Sequence, residues 1–385
     1  MRLFALIFLV VYGLMNAYLF WKLHGALGPG VKLRIAVGLV LAALAAGPIV
    51  TMSLDRAGHF SWSAVLFPIA FCWLAVVFWF LALGLAGDLY NLLVYLGGLL
   101  SPGIRKALLP ARPTMLVTSG LVVVLLVWGI IEAQWIRPQH VTLAAPQLPA
   151  GSRPIKVAVI SDLHLGLYVG QSRLKRTIAV LQEEKPDVII SLGDFVDSPR
   201  GRLEEFVGPL SELRPPMGKY AVMGNHEFYV GAANSADFHR RTGFMLLRSE
   251  SYAPAPGLRL CGVDDPAGSR APLGGYTSEL TNEDRILPPA SAKREYVILL
   301  KHQPRVHQES LGRFDLQLSG HVHGGQLFPW HFMTRAVYPL WRGMYDLPEG
   351  SRLYVNRGTG TWGPPVRLGA SPEVTIVTLV PPERK

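Results

Sequence analysis

At 385 residues the chain is long enough for two or three domains, and its charge is unevenly shared: residues 1–150 carry nine Lys/Arg against three acids, so +6 of the formal +10 sits there and +4 in the remainder. A basic excess gathered at the flanks of apolar stretches is a membrane pattern, and it argues against a nucleic-acid partner, whose phosphates would call for a basic groove. Two cysteines, Cys72 in an apolar stretch and Cys261 far from it, exclude a disulfide framework and a Cys-x-x-Cys metal site.

Four uncharged stretches reach the length of about 17–20 residues that crosses a bilayer: Leu3–Trp21, Ile35–Met52, Trp62–Leu85 and Thr114–Ile131. The first follows Arg2, as a signal peptide would, but it is longer than a signal core and no small-x-small site closes it before Lys22, so it reads as a retained anchor. Asp88 interrupts the third stretch. Beyond it, Leu89–Ile104 reads as a continuation of the same helix lying along the interface, ahead of Arg105 and Lys106. The alternative, a fifth span, would reverse the side on which the rest of the chain lies. With four spans, Lys22, Lys32, Arg34, Arg105, Lys106 and Arg112 share one side, and Arg2, Arg56 and Arg137 the other. Six against three puts the first group in the cytoplasm of a cell membrane and everything after the fourth span outside it.

The expected layout is a membrane domain over residues 1–136, a Pro-rich extended tether over 137–153, and a catalytic domain over 154–385. In the last, β-branched runs at Lys156–Ile160, Val188–Ser191, Tyr220–Met223 and Val297–Leu300 read as strands. Gln171–Glu184 has Leu174, Ile178 and Leu181 at helical spacing and is stopped by Pro186. Further strands are predicted at Met245–Leu247, Leu258–Val263, Glu295–Leu300, Leu316–Ser319, Leu353–Asn356 and Glu373–Leu379. Strands outnumber helices, which favours mixed sheets over a doubly wound one.

Polar clusters follow most of these runs: Asp162-Leu163-His164, Gly193-Asp194-Phe195-Val196-Asp197, Gly224-Asn225-His226-Glu227, Lys301-His302-Gln303-Pro304 and Gly320-His321-Val322-His323. An α/β sheet delivers side chains to a site in this way, beyond its strand ends. Within Asp162-Leu163-His164 and His321-Val322-His323 the polar residues are i, i+2 and would point the same way in extended chain. Oxygen and imidazole donors converging from separate strands suit a pair of divalent metals, which can clamp the attacking and leaving oxygens of a phosphoryl transfer.

The ordered set D-x-H, G-D-x-x-D, G-N-H-E, H, G-H-x-H resembles the calcineurin-like metallophosphoesterase superfamily, over about the last sixty per cent of the chain. Gly320–Gln326, Asn356-Arg357-Gly358 and Gly363–Gly369 are similar to its membrane-associated branch. The resemblance implies a multi-span α-helical membrane domain followed by an α/β (α+β) domain of two packed mixed sheets flanked by helices. It implies two divalent ions, for which manganese, iron and zinc are all suited. Asp194 is the candidate bridge; Asp162, His164 and His323 would complete one ion, and Asn225, His302 and His321 the other. The nucleophile would be metal-activated water. His226 would act on the leaving oxygen with Asp197 orienting its ring; alternatively Asp197 only caps the turn at Ser198-Pro199.

Arg357 would add a cationic contact to phosphate, or simply support the fold. Glu227 is not expected to be a ligand, and His239, His307 and His331 read as packing or surface residues. Gly324 and Gly325 would let the chain turn sharply. Phe328, Trp330, Phe332, Tyr338, Trp341 and Tyr345 follow directly; they either wall the site or form a lipid-facing rim that includes Trp330 and Trp341. The function implied is hydrolysis of phosphodiester, phosphomonoester or pyrophosphate bonds by a membrane-anchored enzyme, on lipid or envelope-precursor substrates. A nuclease or nucleotide phosphodiesterase is the alternative, and a non-catalytic receptor or scaffold a third reading, against which every motif position is filled.

Overall fold

The computed structural model describes residues 2–26, 30–166, 169–197, 203–270 and 278–384. The chain divides into two compact units, residues 1–131 with 363–366, and residues 132–362 with 367–385.

The first unit is built on helices α1 (Arg2–Ala26), α2 (Val31–Arg56), α3 (Phe60–Leu100) and α4 (Ala111–Gln134), each long and apolar enough to cross a membrane. Their large apolar side chains, Leu14, Leu39, Val65 and Leu116 among them, point outward, the reverse of a water-soluble bundle. At 41 residues α3 is about 60 Å long, twice a bilayer's hydrocarbon thickness. It runs unbroken past Asp88, so Leu89–Leu100 belongs to the same helix, and a short 3-10 turn at Pro102–Ala107 follows it. An acid inside an apolar helix needs a partner. Asp88 has two from α1: it ion-pairs with Lys22 and accepts a 2.7 Å hydrogen bond from the Tyr18 hydroxyl. Trp73 Nε1 donates to Asn16 Oδ1 at 2.9 Å, a second polar tie between the same helices.

In the second unit, one six-stranded sheet has the order β1-β12-β2-β3-β4-β5. Its strands are β1 (Arg137–Ala144), β2 (Ile155–Ile160), β3 (Val188–Ser191), β4 (Lys219–Ala221), β5 (Phe244–Leu246) and β12 (Glu373–Val380). The other has the order β10-β11-β9-β8-β7-β6, from β6 (Glu250–Ala255), β7 (Leu258–Gly262), β8 (Tyr296–Leu300), β9 (Leu316–Ser319), β10 (Gly343–Asp346) and β11 (Arg352–Val355). Both are mixed: β2 to β5 and β7 to β9 pair in parallel, while β12 runs antiparallel to β2 and β6 to β7. Val157, Val159, Ile190 and Tyr220 from the first sheet and Leu260, Ile298, Leu300 and Leu318 from the second close a single apolar layer between them. Helix α5 (Gln171–Glu184) buries Leu174 and Leu181 in a second core on the other face of the first sheet, with Phe195, Phe206 and Phe238.

The tether expectation needs correction. Residues 137–144 form the edge strand β1, parallel to β12 from Arg137↔Glu373 to Ala144↔Val380. Pro138 lacks an N–H, which an edge strand tolerates, and the partner strand comes from the far end of the chain. Among the described residues, helices α6 (Glu204–Ser211), α7 (Asn225–Val230), α8 (Ala232–Arg241) and α9 (His331–Val337) complete the unit. Because β2, β3, β4, β8 and β9 are parallel within their sheets, the five polar clusters all follow strand carboxyl ends.

Candidate metal centre

The backbone around the clusters is strained. Nine non-glycine residues have positive φ among the described residues, and five of them are Asp162, His164, Asp194, His321 and His323. L-residues visit that region only when their surroundings enforce it, and such strain gathers at functional sites. It also corrects the expectation of extended i, i+2 alternation: Asp162 and His164 converge because both take left-handed conformations (φ 52° each) directly after β2. The glycines make room. Gly193 has φ 91°, and a β-carbon there would run into the backbone of Gly224; one on Gly224 would collide with the Asp194 carboxylate.

Among the described residues, side-chain donors meet in three overlapping groups, each with its atoms within 4.8 Å of one another: Asp162, His164 and His323; Asp194, His302 and His321; and His164, Asp194 and His226, which joins the first two. His164 Nε2 lies 3.2 Å from His323 Nε2, and His323 Nε2 lies 3.5 Å from an Asp162 oxygen. In the second group His302 Nε2 is 3.2 Å from Asp194 Oδ2 and 3.2 Å from His321 Nδ1. Asp194 Oδ2 also lies 3.9 Å from His164 Nε2, so this carboxylate stands between the two groups. The His302 ring is oriented by its Nδ1–H, which donates to the Leu192 carbonyl at 2.8 Å and turns Nε2 toward Asp194; burial would lower this ring, but the Asp194 carboxylate raises it well above its ordinary value. Asn225 Oδ1 is buried with no hydrogen-bond partner among the described residues. A buried amide oxygen left unmatched costs about 1–3 kcal/mol, and a cation beside it removes that cost. Close-packed imidazoles, carboxylates and this orphaned oxygen fit a pair of divalent ions as a donor set.

The electrostatics agree. Burial alone would raise the Asp194 carboxyl, but the imidazoles of His302, His226 and His164 outweigh it and hold it well below the usual range. Burial lowers His321 and His323, keeping those rings neutral and able to donate lone pairs. His226 lies in the first turn of α7, and its ring edge packs on His164 with centroids 4.6 Å apart. Its Nδ1–H donates to Asp197 Oδ1 at 2.8 Å. Burial would depress this ring too, but Asp197 and Asp194 push it up to about 9. The turn at Ser198-Pro199, the other reading for Asp197, lies outside the described residues.

A model of the calcineurin-like phosphoesterase family matches residues 155–325. A metallophosphoesterase of Aquifex aeolicus is 40% identical over 260 residues, 67% of this chain and 97% of that one. A Bos taurus protein named transmembrane protein with metallophosphoesterase domain is 32% identical over 316 residues, 75% of this chain and 67% of its own. The chain belongs to the calcineurin-like metallophosphoesterases. Among solved structures, the 5'-nucleotidase precursor of Thermus thermophilus aligns over 59% of this chain and 54% of its own, at 14% identity and a TM-score of 0.34. Family membership makes the protein a metal-dependent phosphoester hydrolase. Its apolar helices and a transmembrane relative make it a membrane protein.

Two charged residues of this metallophosphoesterase act through the backbone. Glu227, fully buried, accepts hydrogen bonds from the amides of Asp194 (2.9 Å), Phe195 (2.7 Å), Val196 (3.3 Å) and Gly224 (2.8 Å), tying the loop after β3 to the one after β4. Arg367, equally buried, donates to the carbonyls of His323 (2.8 Å), Arg357 (2.7 Å), Ala370 (3.0 Å) and Gly358 (3.3 Å) and reaches His323 Nδ1 at 3.2 Å. Neither role is spelled by the motifs: Glu227 sits in the first turn of α7, and Arg367 in a Gly/Pro-rich loop. Arg357 is paired with the buried carboxylate of Glu373. That contact favours fold support over the phosphate contact.

The aromatic segment divides. Trp341 is buried, stacked on His331 with centroids 5.5 Å apart, and Tyr338 packs against His321 at 5.4 Å. A rim containing Trp341 is thereby excluded, while Phe328, Trp330 and Phe332 stay more than half exposed. His239 is fully buried among Phe195, Phe238 and Phe244, and His307 pairs with Glu283.

Proposed function

We propose that the chain hydrolyses phosphoesters at a dinuclear centre held by Asp162, His164 and His323 on one side and Asn225, His302 and His321 on the other, with Asp194 shared. The observation that carries this reading is the set of buried Asp/His groups around Asp194, joined by Asn225, whose Oδ1 is buried without a partner among the described residues and whose neighbour His226 bonds Asp194 through its N–H. Two divalent ions bound there would supply Lewis acidity, drawing charge from phosphoryl oxygens and acidifying water. Asp194, held ionised, turns Oδ2 toward both groups, while its Oδ1 accepts the His226 backbone N–H at 2.8 Å. His302 is oriented by the Leu192 carbonyl and His323 by Arg367, so neither ring has to be ordered when substrate arrives. His226 gives the leaving oxygen a proton from Nε2, because its Nδ1–H is committed to Asp197, which also stabilises the charged ring. Hydrolysis of an aryl phosphoester by detergent-purified protein tests the reading: activity should vanish on chelation and return with manganese, iron or zinc. Full turnover by the metal-free protein would refute it.

We further propose that the substrate is lipid-borne and that the catalytic unit faces away from the cytoplasm. Four spans and the six-to-three placement of Lys/Arg support the orientation. Only Trp135 and Ile136 separate α4 from β1, which supports work at the membrane surface. The exposed Phe328, Trp330 and Phe332 support an apolar substrate. A C-terminal reporter that works only in the cytoplasm should stay silent; a working reporter would reverse the orientation.

A further inference from the structure

His226 has one ring nitrogen free for chemistry, because Nδ1 is taken by Asp197 at 2.8 Å. Any group attached to the oxygen that meets Nε2 must therefore lie against whatever surrounds this imidazole. One neighbour is His164, on the side of the metal-type cluster, with centroids 4.6 Å apart. Two further neighbours among the described residues are aromatic. Tyr229, three residues on and so on the same face of α7, meets the ring edge-on at 5.3 Å, and Trp362 meets it edge-on at 5.9 Å. Both stay open to solvent, Tyr229 at 43% and Trp362 at 51% exposure, although they border a deeply buried polar cluster.

Trp362 is not a loosely hung surface ring. Its backbone N–H donates to Gln326 Oε1 at 3.1 Å, and its carbonyl accepts from Gln326 Nε2 at 2.9 Å. Gln326 is itself nearly buried and lies three residues after His323, so the loop that follows the metal-type histidines also fixes Trp362. A pre-ordered, half-exposed ring on each flank of the proton donor loses little entropy when it is covered, and gains apolar burial.

We propose that Tyr229 and Trp362 form a subsite for the leaving group, selecting phosphoesters whose departing alcohol is apolar. This rests on the phosphoesterase reading and deepens it, since the leaving group is placed by the role given to His226. The chemistry is an uncharged hydrocarbon surface on the alcohol, supplied either by a flat aromatic group or by an alkyl chain. Covering about 50 Å² of such surface corresponds to roughly a tenfold gain in affinity.

The test uses inert phosphonates in which carbon replaces the leaving oxygen: methylphosphonate, hexylphosphonate and naphthylphosphonate. Each is titrated calorimetrically into the full-length protein in detergent with manganese present. The expected result is a tenfold preference for an apolar phosphonate over the methyl compound, falling to near one in Trp362→Ala and largely kept in Trp362→Phe. A gain for naphthyl alone assigns the subsite to flat groups, and a gain for hexyl as well assigns it to alkyl-bearing ones; either supports it. A wild-type ratio near one overturns it, as does a ratio that survives Trp362→Ala combined with Tyr229→Ala. Binding is read without turnover, so a protein that keeps the ratio yet hydrolyses nothing would remove the phosphoesterase reading and leave the apolar subsite standing.

Discussion

The two units of this chain place their polar groups by opposite rules. In the helical unit apolar side chains face outward, and the few polar groups pair inside: Asp88 with Lys22 and Tyr18, Trp73 with Asn16. In the catalytic unit the apolar side chains are enclosed between and behind two sheets, and buried charge is concentrated beyond the strand ends, where Asp162, Asp194, Glu227, His302 and Arg367 sit almost without solvent. The solvent differs, and so does the purpose of a buried charge. Asp88 is neutralised by one neighbour and ties two helices. The catalytic cluster gathers more ligand-type groups than its own hydrogen bonds satisfy, and the remainder defines a site.

If Asp88 is only a tie, Asp88→Ala should strand the Lys22 charge among apolar helices and cost about 3 kcal/mol. Thermal unfolding in detergent should show the loss, and Asp88→Leu combined with Lys22→Met should recover most of it. A stable single variant would mean that the pair is not what joins α1 to α3, and the comparison would break on the membrane side.

His239 sharpens the catalytic side with a smaller effect. Burial holds this ring down at about 4, against an ordinary 6.5. Its depressed value makes a stabilising contribution that is whole above pH 6.5 and is lost as pH falls toward 4, because the unfolded chain takes the proton first. The loss between pH 8 and pH 5 should be about 2 kcal/mol. His239→Phe should lower the pH dependence of unfolding by that amount, and an unchanged slope would show that the ring is not closed off.

Elements set by local chemistry were legible from sequence. Helix α5 announces itself by Leu174 and Leu181 at helical spacing and by Pro186, and β9 by the alternation Leu316-Gln317-Leu318-Ser319 ahead of a glycine. Strand β1 was not legible: two of its features, Pro138 and an exposed polar face, belong to a linker, and its partner β12 lies at the other end of the chain. At the site, residue types fixed the list of candidate donors, because few side chains can hold a metal. Their approach could not be read, since it depends on positive φ at Asp162, His164, Asp194, His321 and His323. Glu227 and Arg367 escaped because they serve backbone amides and carbonyls, which no motif spells out. Trp330 and Trp341 look alike in sequence; only packing against His331 separates the buried one from the exposed one.

The most direct test separates holding metal from using it. Asp194→Asn and His226→Ala should both reduce aryl phosphoester turnover by at least about a hundredfold, and metal content should be counted in the same preparations. The prediction is that Asp194→Asn loses metal while His226→Ala keeps a wild-type complement of two ions per chain. Equal metal loss in both variants, or undiminished metal and turnover in Asp194→Asn, would contradict a dinuclear centre built around Asp194.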